Sequence, residues 1–383
     1  MATQDRREVL SAGAGLAAEV ALESGGELGE GVHAVKARGY WEQVWRRFSK
    51  DRVAIASGIF IILLFVAAFG GAPIAAKWLG HGPNEIYPTA GVDQETLVPA
   101  GPWHTGTDLA GKEVFFPLGG ADTLGRDLFL RLLYGARVSL EVAIGATIMS
   151  MAIGVILGAT AGYFRGGIDA VISRFTEITM AFPQLLLIIA LAATAGESLN
   201  DITFGIFPPG VMTLVLVLGV FGWFYPARIV RSQVLSLREK EFIEAARMVG
   251  SSDARIIRSH LLPHLVAPII VYSTLIVAQF VLAEAGLSFL GLGIKLPTAS
   301  WGSILSVAPE FYTQQPWLMV WPGLAVLSTT LAFNLLGDGL RDAFDPRGAA
   351  HYPALNLSST HPSRAANKTR TAASHTGRTQ VRP

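Results

Sequence analysis

Six long apolar stretches constrain the fold of this chain more than any other feature of its sequence. Each can cross a hydrocarbon layer of ~30 Å as a helix that rises ~1.5 Å per residue. Charged residues make up only 15% of the 383 positions, which is low for a soluble chain. The sequence therefore predicts an all-α integral membrane protein with six transmembrane helices. The stretches run from about Val53 to Ala76, Val138 to Phe164, Ile178 to Ala195, Phe207 to Tyr225, Leu265 to Leu290 and Trp317 to Leu336.

Basic residues concentrate in alternate connections between these stretches, and this asymmetry predicts the orientation. Lys and Arg cluster before the first stretch, between the second and third, in residues 226–264 and after the sixth. Such an excess is typical of cytoplasmic flanks. We therefore expect both termini in the cytoplasm, with a six-helix transmembrane domain over residues 40–348. Residues 1–39 and 349–383 lack apolar periodicity and are predicted to be disordered cytoplasmic tails.

Glycine recurs along the second apolar stretch, at Gly145, Gly154, Gly158 and Gly162. Small residues allow the backbones of two membrane helices to approach closely. We therefore expect a compact bundle around this stretch.

The sequence excludes several classes of catalytic site. Without cysteine, the chain has no disulfide and no thiolate nucleophile. It contains neither a His-Glu-x-x-His nor a Gly-x-Ser-x-Gly motif. Residues 106–113 nearly match a phosphate-binding loop, but Glu113 replaces the Ser or Thr that would hold magnesium, and no strand is expected before it. No catalytic residue and no metal ligand is predicted.

A polar and basic segment, residues 226–264, separates the fourth apolar stretch from the fifth. Strong helix formers from Glu241 to Val249 predict a short helix, and Gly250 suits a left-handed residue just after its end. The apolar face of this helix is expected to comprise Phe242, Ala245, Ala246 and Val249.

A second short helix is expected to follow from Asp253 to His260, after a sharp corner at Gly250. Ser251 or Ser252 would cap its start, and Pro263 would end it. We expect the two helices to lie across the cytoplasmic face as a rigid unit.

At these residues the chain resembles the permease subunits of ATP-binding-cassette importers. Their cytoplasmic loop has Glu-Ala-Ala, a glycine four residues after the second alanine, and Leu-Pro further on. The matching residues are Glu244, Ala245, Ala246, Gly250, Leu262 and Pro263. His260 departs from the pattern, which usually has an aliphatic residue there.

Other stretches narrow this resemblance to the C-type member of the dipeptide, oligopeptide and nickel permeases. Residues 117–127 and 133–137 are similar to the outer loop of that family, although Ala121 and an extra glycine depart from it. Ser300-Trp301-Gly302-Ser303 and residues 334–342 are similar to the C-type subunit. The resemblance covers residues 40–348.

The resemblance implies a multi-pass protein of a prokaryotic cell membrane that is not itself an enzyme. It implies four partners besides the lipid bilayer: a second homologous permease, two ATPase subunits and an extracytoplasmic solute-binding protein. ATP and magnesium would bind to the ATPase subunits, with no cofactor and no nucleic acid on this chain. The residues that would couple to the ATPases are Glu244, Ala245, Ala246, Arg247, Gly250, Leu262 and Pro263.

The solute stays open at the level of sequence. Peptides are favoured by the resemblance, with nickel or another small solute as the alternative. A self-contained secondary transporter would need repeated halves with broken helices, and no such repeat is visible.

Two acids fall inside the apolar stretches, Glu141 near the outer end of the second and Glu284 near the outer end of the fifth. One interpretation is a pair of interfacial carboxylates, solvated or paired with Arg137. The other is a lining for the outer mouth that meets the amino terminus of a peptide.

Overall fold

Long helices dominate the computed structural model, which describes residues 40–200, 208 and 210–345. The two predicted tails, 1–39 and 349–383, lie outside the described residues. The helices are α1 Tyr40–Phe48, α2 Arg52–Phe65, α3 Ala72–Leu79, α4 Leu128–Phe164, α5 Gly166–Ala181, α6 Gln184–Asn200, α7 Val211–Val220, α8 Phe224–Leu237, α9 Glu241–Met248, α10 Asp253–Arg255, α11 Leu262–Phe289, α12 Trp301–Val307 and α13 Trp317–Phe344. A π-helical turn, Val66–Gly71, joins α2 to α3, and another, Ile256–Leu261, joins α10 to α11.

Four continuous helical runs in the described residues are long and apolar enough to cross a membrane: Arg52–Leu79, Leu128–Phe164, Asp253–Phe289 and Trp317–Phe344. Two further apolar segments are bent pairs, α5 with α6 at 83° and α7 with α8 at 41°. By length and composition the described part of the chain therefore has four candidate spans, or up to six if each bent pair crosses once.

The third and fourth apolar stretches, each predicted as one transmembrane helix, are both interrupted by a bend. In the third, Pro183 forces the residue before it out of helical conformation, and Phe182 has extended dihedrals of −83° and 137°. In the fourth, α7 ends at Val220 and α8 begins at Phe224, with turn residues between them.

Helix α4 is central and packs against α7, α8 and α11. Gly154 and Gly158 face α8 closely, which agrees with the compact packing that the sequence predicted around this helix. A Cβ atom added at Gly158 would clash with the carbonyl oxygen of Ala227, and one added at Gly154 would lie 2.5 Å from Cβ of Pro226. The two backbones meet because these positions have no side chain.

We expect Gly158→Ala to lower the stability of the purified protein by about 1–3 kcal/mol, because the added methyl must push α8 away. Thermal unfolding in detergent measures the change. Gly286→Ala in α11 is the matched control, since a Cβ there meets nothing within 4 Å. Equal unfolding temperatures for the two variants would contradict the close contact.

The connection between α3 and α4 carries a two-stranded antiparallel hairpin, β1 His104–Thr107 and β2 Glu113–Phe116, with Thr107 opposite Glu113. The near match to a phosphate-binding loop is the turn of this hairpin. Its Asp108 carboxylate accepts the N–H groups of Ala110 and Lys112, each at 2.8 Å. The expectation that no strand precedes it is wrong, but a strand rather than a helix follows, so the loop lacks the helix N-terminus that binds phosphate.

A buried pair fixes this connection to the start of α4. Nε2 of His81 lies 2.9 Å from Oδ2 of Asp127, and both side chains are almost fully buried. The other oxygen of Asp127 accepts the N–H of Leu130 and so caps α4. Nδ1 of His81 lies 3.2 Å from the carbonyl oxygen of Leu79, the last residue of α3. His81 thus links the end of one span to the beginning of the next.

Candidate functional site

The short helix α9, Glu241–Met248, lies at the end of the bundle where α4 finishes. Ile243 is its buried residue, and Ala246 packs beside it against a cluster formed by α4, α8 and α11. Met248 and Val249 are 83% and 86% exposed. The helix therefore rests on the bundle along one narrow line and leaves most of its surface uncovered.

The predicted apolar face of α9 is directed mostly away from the bundle. Phe242 and Val249 lie among the exposed hydrophobic residues, and Ala245 is exposed as well. The buried line instead follows Ile243 and Ala246, which are three residues apart and so adjacent on the helix surface. Glu244 and Arg247 are also exposed.

Gly250 forms the predicted corner. Its φ is +83°, a left-handed conformation that glycine adopts without a steric penalty. The N–H of Gly250 donates to the carbonyl of Arg247 at 2.9 Å, and the N–H of Ser251 donates to that of Ala246 at 3.0 Å. These two bonds are a Schellman motif, which satisfies the last carbonyls of α9 and fixes the exit direction of the chain.

Tyr163, at the end of α4, anchors this corner. Its hydroxyl donates to Oδ1 of Asp253 at 2.6 Å, and the guanidinium of Arg247 lies 5.3 Å from its ring centroid. Arg238 donates to its backbone carbonyl. Elements on both sides of Gly250 are thus attached to one aromatic residue. No local pattern in the sequence indicates this role of Tyr163, because its partners are 75 to 90 residues away.

The second short helix does not end at Pro263. Ser252 occupies the expected N-cap position in extended conformation, but its side chain makes no capping bond, and the helical run from Asp253 continues to Phe289. Pro263 lies in the first turn of α11, where its missing N–H is tolerated, directly after the π-helical turn. Leu262 and Pro263 are therefore part of a continuous span.

Glu284 is fully buried, so the expectation that it is solvated, paired with Arg137 or lining a mouth is wrong. Ser139 of α4 donates to its Oε2 at 2.6 Å, and Ser288 donates to its Oε1 at 2.7 Å. The N–H of Trp301 donates to the Ser139 hydroxyl at 3.3 Å. Glu284 thus joins α4, α11 and the start of α12, which is a structural role.

Glu141 has the environment that was expected of an interfacial acid. Nε of Arg137 donates to its Oε1 at 2.8 Å, one helical turn away. Both residues line a cleft of 440 Å³ together with Asn84, Tyr134 and Thr298. An accessible pair of opposite charges in a cleft can meet a solute that carries both signs.

Beside this cleft, Tyr87 and Glu85 form a charge-assisted hydrogen bond. The Tyr87 hydroxyl donates to Oε2 of Glu85 at 2.6 Å, and this bond lowers the pKa of Glu85. Burial, followed by the same bond, raises the pKa of Tyr87. The bond therefore stabilises the connection near neutral pH, and its contribution is lost as the pH falls through the lowered pKa of Glu85.

Comparison with known proteins assigns the chain to a family. Residues 154–349 match a family model described as "Binding-protein-dependent transport system inner membrane component". The chain belongs to this family. Residues 39–94 of the permease match a second model, the N-terminal TM domain of oligopeptide transport permease C. Both matches confirm the resemblance drawn from the sequence.

Two relatives with similar sequences agree with this assignment. The permease is 37% identical over 307 residues to the glutathione transport system permease protein GsiD of Escherichia coli O6:K15:H31 (strain 536 / UPEC) and to that of Shigella boydii serotype 4 (strain Sb227). Each alignment covers 80% of this chain and 90% of the relative. The permease is therefore an ATP-binding-cassette importer permease of the peptide family, a multi-pass protein of a prokaryotic cell membrane.

Solved structures of lower identity are also similar to the permease. An inward-facing MetNI methionine ABC transporter has a TM-score of 0.45 at 18% identity, over 57% of this chain and 98% of its own. A second crystal form of the same transporter has a TM-score of 0.46 at 18% identity, over 56% of this chain and 96% of its own.

Proposed function

We propose that the permease is one of two homologous transmembrane subunits of an ATP-driven importer that carries peptides. Two ATPase subunits hydrolyse ATP, and an extracytoplasmic binding protein delivers the solute. ATP and magnesium bind to the ATPases, while this chain binds no cofactor, no metal and no nucleic acid. Rocking of the paired permeases exposes the path to one side of the membrane and then to the other.

The observation that carries this proposal is the exposed, firmly attached helix α9. Apolar side chains such as Met248 and Val249 are 83% and 86% exposed on a helix that Tyr163 and the Gly250 corner hold in place. An exposed apolar patch rimmed by charge is typical of a protein contact. We propose that a groove on an ATPase subunit covers it. The coupling residues are Glu244, Ala245, Ala246, Arg247 and Gly250, with Leu262 and Pro263 starting the span behind them.

We propose that each bent helix pair crosses the membrane once, which gives six spans with both termini in the cytoplasm over residues 40–348. The basic residues around α8 and α9 support this orientation, because Arg228, Arg231, Arg238, Lys240 and Arg247 all lie at one end of the bundle. This arrangement puts α9 in the compartment where ATP is available.

The peptide class of solute is supported by the relatives whose name refers to glutathione, a tripeptide. We propose that Glu141 and Arg137 lie at the outer mouth of the path. A zwitterionic peptide presents an amino group and a carboxylate, and the cleft beside this pair offers both complementary charges.

Reconstitution of the complete importer in liposomes tests this function. With ATP enclosed, we expect uptake of a labelled tripeptide that stops when either the ATPases or the binding protein is omitted. Uptake by this chain alone would overturn the importer proposal. The same complete assembly can also be tested with nickel. Nickel uptake that added peptides do not inhibit would overturn the proposal that the solute is a peptide, but not the proposal that the protein is an importer subunit.

A further inference from the structure

Helix α1, Tyr40–Phe48, displays aromatic residues outside every apolar stretch. Tyr40, Trp41 and Trp45 are 55%, 60% and 69% exposed, while Val44 is 8% exposed and faces the bundle. The ring of Trp41 also touches Phe344, the last residue of α13, with centroids 6.1 Å apart. Two largely uncovered tryptophans on one short helix call for an apolar surface that the described residues do not supply.

The position of α1 relative to the membrane follows from its connection to the first span. The N–H groups of Ser49, Lys50 and Asp51 donate back to carbonyls of α1, so the two helices are joined by a tight turn. Asp51 then caps α2 by accepting the N–H groups of Val53 and Ala54. Because apolar residues begin at Val53, α1 is held where the first span leaves the hydrocarbon layer.

Helix α1 is too short to span the hydrocarbon layer of the membrane. Its 9 residues extend only about 13 Å. At 100° per residue its apolar side chains occupy an arc of about 140°, and Glu42, Gln43 and Arg46 lie outside this arc. Val44, near the middle of the arc, meets the bundle, and Trp45 forms its uncovered edge. This is the pattern of a helix that lies in the plane of an interface.

The basic residues at the end of α1 indicate what kind of surface this helix binds. Arg46, Arg47, Lys50 and Arg52 fall within seven consecutive residues, and the only acid among them, Asp51, is occupied as a helix cap. Anionic lipid headgroups attract such clusters, and tryptophan and tyrosine prefer the headgroup level.

We propose that residues 40–52 are an in-plane anchor that binds the anionic headgroups of one bilayer leaflet. Trp41 and Trp45 enter the boundary between headgroups and acyl chains, and Arg46, Lys50 and Arg52 bind lipid phosphates. The segment thereby fixes the height and the rotation of the first span, and through Trp41 and Phe344 it also holds the end of α13 at the same level.

The absence of cysteine makes a direct test simple, because single cysteines can be introduced into the full chain. We would attach an environment-sensitive fluorophore at Trp45→Cys, on the uncovered edge, and at Gln43→Cys, outside the apolar arc. The full chain is reconstituted in vesicles of neutral phosphatidylcholine or of phosphatidylcholine mixed with anionic phosphatidylglycerol. Some vesicles of each kind carry lipids with a spin-labelled quencher just below the headgroups.

In the anionic vesicles we expect strong quenching at position 45 and weak quenching at position 43. Position 45 should be quenched less in neutral vesicles and at high salt. Replacing Arg46 and Lys50 with glutamine should lower the ratio of bound to unbound segment about fivefold for each charge removed.

Three results would overturn the anchor. Equal quenching at 43 and 45 would show that α1 does not lie in the interface. If quenching at position 45 does not change with lipid charge, salt or the glutamine substitutions, then the segment does not bind anionic headgroups specifically. Shielding of position 45 only after ATPase subunits are added would assign the aromatic face to a protein instead.

Discussion

Gly250→Pro is expected to abolish transport, although the protein should still insert into the membrane and still pair with the second permease subunit. Proline cannot adopt the φ of +83° found at this corner, and it lacks the N–H that donates to the carbonyl of Arg247. The exit from α9 must therefore change direction. ATP-driven uptake by the reconstituted importer, compared with the amount of inserted protein, measures the effect, and we expect a loss of more than about tenfold.

Gly250→Ala is the matched control for this prediction. A Cβ at position 250 meets nothing within 4 Å, so alanine adds no clash and retains the N–H. Its cost is the left-handed conformation alone, about 1 kcal/mol. Uptake should therefore stay within a few-fold of the unchanged importer. Normal uptake with proline, or an equal loss with both substitutions, would show that the geometry of this corner does not carry the coupling.

The largest loss of stability is expected for Asp127→Ala. This substitution removes the cap of α4 and leaves the buried ring of His81 facing no acceptor on that side. Losing a hydrogen bond to a charged group costs about 1.5–3 kcal/mol, and losing an aspartate cap adds about 1 kcal/mol. Thermal and denaturant-induced unfolding of the purified protein should detect this change directly.

Asp51→Ala provides the comparison that isolates the buried pair. Asp51 is also an aspartate cap at the start of a span, accepting N–H groups at 2.9 and 3.1 Å, but it lies partly exposed and has no histidine partner. Its loss should cost about 1 kcal/mol. Similar unfolding curves for the two variants would mean that His81 contributes little, and Asp127→Asn, which keeps one acceptor oxygen, should fall between them.

The sequence was sufficient to predict features that depend on local chemistry. Hydropathy located the four continuous spans and the two bent apolar pairs, because a helix that crosses lipid must be apolar along its length. The glycines of the second apolar stretch indicated that another helix packs closely against it, although they did not identify which one. Gly250 was identified as a corner because only a residue without Cβ suits a left-handed helix end.

The remaining features depend on partners that are distant in sequence. The burial of Glu284 results from Ser139, which lies 145 residues away, and helical periodicity carries no information about such a pair. The inner face of α9 is similarly decided by the cluster that receives Ile243. The continuation of the helix through Pro263 depends on the π-helical turn before it, where the usual rule that proline ends a helix does not hold.

Because the helix continues through Pro263, a single helical run connects the region of α9 to the opposite end of the bundle. The helical run from Asp253 to Phe289 begins three residues after Gly250 and passes Glu284, roughly 45 Å further along. If an ATPase subunit moves α9 as proposed above, the helical run that follows the Gly250 corner would transmit that movement. The far end of this run is hydrogen-bonded to Ser139 through Glu284 and packs against α12. The π-helical turn at Ile256–Leu261 and Pro268 both interrupt the regular hydrogen bonding in the first half of this run, so these are positions where the helix can bend.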